Sequence, residues 1–84
     1  MDIKTKKLQR YVERRNFALR KYHDHIAWAK MDLKWAKVDR EHGHHEEYME
    51  SLQCVAHHRE KALWWYARYQ QKCQQIAELE EEVR

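Results

Sequence analysis

The chain has no proline and a single glycine, Gly43. Without proline, no residue removes a backbone donor or clashes with a preceding turn, so nothing obliges a helix to stop. With one glycine, only one position adopts the left-handed backbone of a helix terminus at little cost. Gly43 lies at the midpoint of the 84 residues, within Arg40-Glu41-His42-Gly43-His44-His45. The two halves therefore read as two arms folded about it. The same scarcity excludes a glycine-rich phosphate loop, and the zinc-protease pattern HExxH is absent.

Cysteine is scarce too. Cys54 and Cys73 are 19 residues apart, which along one helix is roughly 28 Å at ~1.5 Å per residue, too far to bridge. Reduced thiols are the expectation. No apolar run approaches the ~20 residues that span a bilayer, and Asp2-Ile3-Lys4 leads into a polar stretch rather than a signal-peptide core. A soluble, cytoplasmic protein with no membrane partner is expected.

What is present is charge, at 37% of residues, together with abundant alanine, leucine, glutamine and glutamate. That is the composition of long helices, and the fold class predicted is all-α, a single domain over residues 1–84. From Leu8, apolar residues recur at steps of four and three through Val12, Leu19, Tyr22, Ile26, Ala29, Leu33 and Ala36, with Arg15 the one break. After the glycine the same spacing runs Tyr48, Leu52, Val55, Arg59, Ala62, Tyr66, Tyr69, Cys73, Ile76, Glu80, Val83, flanked by Met49, Ala56, Leu63 and Ala77. These patterns predict a long antiparallel helical hairpin: helix 1 about 3–40, a turn at 41–45, helix 2 about 46–83. Residues i and j should meet when i + j is about 86. A break at Asn16 would instead give three helices. A chain this short buries little surface alone, so a homodimer forming a four-helix bundle is the expected completion.

Trp28, Met31, Trp35 and Val38 repeat the three-and-four spacing on a different face from the seam. That face is expected to meet either a second copy or a different protein, since tryptophan is enriched among residues that dominate binding energy.

Residues 1–21 carry a net charge of about +6. The hairpin register sets Lys4, Lys6, Lys7 and Arg10 near Glu78, Glu80, Glu81 and Glu82, a helix-to-helix charge match. Beyond it, residues 14–23 and 61–77 contain no acid. They supply a basic-aromatic belt of Arg14, Arg15, Phe17, Arg20, Lys21, Trp64, Trp65, Arg68 and Lys72. Such a belt can hold phosphates and stack on unpaired bases, or it can meet an acidic protein surface. No RNP motif, zinc finger or basic zipper accompanies it.

Seven histidines are present, but only His42 and His45 have helical metal-ligand spacing, and a glycine separates them. No metal and no cofactor is expected. The closest approach to a thiolate pair is Cys54 with His57, three residues on, and no enzyme is expected. The leading functional expectation is a non-enzymatic protein-protein interaction module, a small accessory regulator or inhibitor of the kind phages and mobile elements encode. The alternatives are an RNA or single-stranded DNA binder using the belt, and a structural or assembly chaperone subunit.

Overall fold

A computed structural model describes residues 2–83, and the Val83 side chain, the last of the expected seam positions, lies outside the described residues. Two helices account for the architecture: α1 spans Ile3–Glu41 and α2 spans His45–Val83. They lie side by side as a hairpin measuring 61 × 17 × 13 Å. Helix α1 continues unbroken through Asn16.

Local chemistry explains where each helix begins and ends. Asp2 caps α1, its carboxylate accepting the Thr5 backbone N–H at 2.7 Å, which satisfies one of the helix's unpaired first donors. That bond holds the Asp2 carboxyl below its ordinary value. At the other end, Gly43 takes φ +72°. Its N–H donates to the Arg40 carbonyl at 3.3 Å and the His44 N–H to the Asp39 carbonyl at 2.8 Å. This pair of bonds is the Schellman closure, with glycine in its left-handed position. The His44 ring stands 3.5 Å from the Asp39 carboxylate across the turn. Glu46 and Glu47 then occupy the first turn of α2 and Arg40 the last turn of α1, each with the sign that the helix dipole favours.

The hairpin register is the expected one. Phe17 meets Trp65, Tyr22 meets Tyr66, and His25 meets His58, all within a helical turn of pairing about Gly43. The centre of the seam, however, differs from the line of larger apolar residues. The buried positions are Ala18, Ala29, Ala36, Val55, Ala62, Ile76 and Leu79. Ala18 is buried while Leu19 is only half-buried, and Asp32 is half-buried while Leu33 is exposed. On α2 the seam passes through His58, Trp65 and Leu79 rather than Arg59, Tyr66 and Glu80, which are exposed. The reason is volume. Alanines at 18, 29, 36 and 62 let the two backbones approach closely, and the bulkier side chains one position on are displaced to the flank.

The hairpin consequently has two long sides. One gathers Leu33 and Leu52 with Lys30, Lys34, Lys37 and Arg40. The other gathers Arg14, Phe17, Trp64 and Arg68. Among the described residues, the contacts within 4 Å between a basic side chain and a carboxylate are His44 with Asp39 and His58 with Asp32. Lys4, Lys6, Lys7 and Arg10 share the open end with Glu78–Glu82 without closing such a pair. Their attraction is therefore exposed and screened.

Candidate functional site: an arginine and tryptophan groove

The belt residues come from both helices, and the register brings most of them together. Glu13, Arg14, Phe17 and Arg20 of α1 face Trp64, Trp65, Arg68 and Lys72 of α2 around a groove of about 540 Å³. Helical spacing accounts for the alignment: Arg14 and Phe17 are three apart, as are Phe17 and Arg20, and Trp64, Arg68 and Lys72 follow at intervals of four. Ala18, almost fully buried, forms part of the groove wall and lets the flanking rings settle close to the backbone.

Aromatic rings organise the cations. The Arg68 guanidinium sits 4.9 Å from the Trp64 ring centroid, and Arg20 and Lys21 lie 5.7 and 5.6 Å from that of Phe17. Trp64 meets Trp65 edge-to-face at 4.7 Å, and Trp65 meets Phe17 in the same way at 5.6 Å. Trp65 is half-buried in the seam and fixes this stack, whereas Trp64 remains 51% exposed. The arrangement holds the Arg20 and Arg68 guanidiniums at cation–π distance from aromatic rings, and an arginine so placed can also bind an anion.

Arg15 does not join this group. It is half-buried at the seam and donates to the Asn16 side chain at 3.2 and 3.3 Å. Conversely, Tyr11 was not among the expected belt residues. Lys7 and Lys72 approach its ring at 5.7 and 5.0 Å, extending the belt toward the open end. The spacing of four between Lys7 and Tyr11, with the pairing of Tyr11 and Lys72 about Gly43, is the sequence signal for it. Glu13, at the groove's edge, introduces one acid into an otherwise cationic lining.

No family model, curated protein or solved structure matches the chain.

The Trp28 face is built differently. Trp28, Met31 and Trp35 are 42%, 56% and 57% exposed, and Val38 is half-buried. Trp28 packs on His25 at 5.1 Å and on His58 at 5.5 Å between ring centroids. Beneath it, the Nδ1 atoms of His25 and His58 are 3.0 Å apart, and His58 Nε2 is 3.6 Å from Asp32. Burial, followed by the neighbouring His58, Lys21 and His57, holds the His25 imidazole below its ordinary value. The geometry suits a neutral His25 donating from Nδ1 to His58, whose Nε2–H faces Asp32.

At the tip, His42 and His44 have ring centroids 6.0 Å apart. Among the described residues, no three His, Cys, Asp or Glu side chains gather as a metal-ligand group. No helix among them is long and apolar enough to cross a membrane.

Proposed function

We propose that this protein is a non-enzymatic interaction module, an accessory regulator or inhibitor that binds an acidic segment of another protein in the Arg14–Arg68 groove. The observation that carries the reading is the Arg68 guanidinium resting on a half-exposed Trp64, with Arg14, Arg20 and Lys72 around the same groove. Stacked guanidiniums bind carboxylates through two parallel hydrogen bonds, and an exposed indole supplies the apolar contact typical of an interface anchor. A groove of about 540 Å³ suits a few side chains of a peptide.

An RNA or single-stranded DNA ligand is the second reading, favoured by the free face of Trp64 on which a base can stack. An extended polyanion tracking along the hairpin would meet Glu78, Glu80, Glu81 and Glu82 at the open end, so the acidic peptide is preferred.

Tryptophan fluorescence titrations with a Glu/Asp-rich peptide and with an unstructured oligonucleotide, each at ~50 and ~200 mM salt, separate the two. Saturable peptide binding, weakened about tenfold or more by Arg68→Ala and by Trp64→Ala, is the expected result, corresponding to ~1.4 kcal/mol or more. Oligonucleotide binding that falls steeply with salt, without peptide binding, would transfer the assignment to nucleic acid. Binding of neither would sink both.

A further inference from the structure

We infer that the side of the hairpin away from the arginine groove is a self-association face, covered by a second copy of this chain so that α1 of each copy lies on α2 of the other. Three observations lead there.

The first is continuity. On α1, Val12, Leu19, Ile26 and Leu33 recur every seven residues along the flank displaced from the seam. On α2, Leu52 and Tyr66 occupy the matching flank on either side of the exposed Arg59, with Met49, Ala56, Leu63 and Ala77 beside them. Leu33 and Leu52 line one groove of about 650 Å³ near the tip. Leu33, Met49, Leu63 and Tyr66 are 46%, 44%, 71% and 39% exposed in the single hairpin. On α1 this line runs from Val12 to Leu33, roughly 30 Å at ~1.5 Å per residue and about half of the 61 Å molecule, which is longer than a local anchor needs. It matches the second stripe that a four-helix bundle buries. The Trp28 patch, by contrast, occupies only the tip half of α1.

Charge supplies the second observation and identifies the occupant. The α1 edge of this face is predominantly basic, carrying Lys30, Lys34, Lys37 and Arg40 against the single acid Glu41. By the same heptad count, the α2 edge is acidic, with Glu46, Glu60 and Glu81 on one line seven or a multiple of seven apart. One surface that offers a basic helix edge and an acidic helix edge is complementary to itself under a two-fold axis running along the hairpin. That axis lays each basic edge on the partner's acidic one and brings both Gly43 turns to the same end. The alternative two-fold, perpendicular to the helices, stacks α1 on α1 and α2 on α2, setting like charges together.

The third observation is the small core. Among the described residues only Val55, Ile76 and Leu79 are buried side chains larger than alanine, and a second apolar layer would bury the displaced leucines and Tyr66. In the resulting dimer the two arginine grooves point outward on opposite sides, making the assembly bivalent for the partner proposed above. The self-association itself does not depend on that partner.

Light scattering on the full chain tests the assignment. The expected solution mass is twice 10.6 kDa, falling to one chain for Leu63→Asp and remaining doubled for Trp35→Asp. A monomeric parent protein, or a Leu63→Asp protein that stays dimeric, would overturn the inference. A second measurement covers the case in which Leu63→Asp loses helicity. A chain carrying Lys30→Glu, Lys34→Glu and Lys37→Glu, and another carrying Glu46→Lys and Glu60→Lys, should each dimerise at least tenfold more weakly than the parent. Mixed, they should form a heterodimer. Absence of that heterodimer, with both chains helical, would refute the α1-on-α2 pairing.

Discussion

At the scale of single residues, Gly43 does the most with the least. A methyl group at this position would meet nothing within 4 Å, so any cost of a side chain here is conformational rather than steric. Its φ of +72° makes that cost about 1–2 kcal/mol for a residue with a Cβ. Gly43→Ala should therefore lower the urea or thermal unfolding midpoint by that amount while leaving the helical circular dichroism of the folded state unchanged. The His25, His58 and Asp32 cluster sets a second expectation. Because the folded protein holds the His25 imidazole below its ordinary value of 6.5, the unfolded chain takes up that proton first as pH falls. Stability from this group is thus fully present above about 6.5 and declines progressively below it. His25→Gln should flatten the pH dependence of the unfolding midpoint between pH 7 and 5. An unchanged slope would show that the ring titrates as it does in the unfolded chain.

Elements come next, and here the contact between α1 and α2 is governed by small side chains. Ala18, Ala36 and Ala62 are 3%, 1% and 1% exposed, so a larger residue has no space to enter without parting the helices. Ala62→Leu should cost about 1–3 kcal/mol through overpacking, whereas Ala67→Leu, on the exposed side of α2, should stay within about 0.5 kcal/mol. Chemical denaturation of the two variants checks the contrast. Of the buried residues, Ala29, Ala36, Val55, Ala62 and Ile76 lie on the expected seam line, whereas Ala18 and Leu79 lie one position to its side, next to Leu19 and Glu80. Leu19 and Leu33 are more apolar than Ala18 and Asp32, so hydrophobicity and helical spacing together favour them. Periodicity marks the width of an apolar stripe but not its centre, and the choice between neighbouring positions depends on which side chains the opposite helix can accommodate. Arg59, which falls on the expected seam line, is exposed because the seam runs through His58.

For the whole molecule, a two-helix hairpin has two flanks, and their chemistry differs. On one, Arg14, Phe17, Trp64 and Arg68 surround a groove of cations and rings; on the other, Leu33 and Leu52 lie beside a row of lysines. Much of the belt was legible beforehand, because a register pinned at Gly43 assigns residues 14–20 to the neighbourhood of 64–72. Two details were not. Arg15 turns to Asn16 at the seam, and Tyr11 joins the cations through Lys7 and Lys72. Each depends on which side of its helix faces the partner helix, a rotation of one residue that pairing by height along the hairpin does not specify.

The amino-acid sequence by itself determined the two helices, their lengths, the turn and the pairing register. These rest on local facts: no proline, one glycine at the midpoint, capping groups at the ends and a three-and-four apolar spacing interrupted only at Arg15, Arg59 and Glu80. Only the tertiary structure decided where the seam centres between neighbouring positions, with Ala18 buried beside Leu19 and Leu79 beside Glu80, that Arg15 turns to Asn16, and that Leu33 and Leu52 share one groove. Those outcomes follow from volume matching between the helices, a property of the pair that neither helix carries in its own sequence.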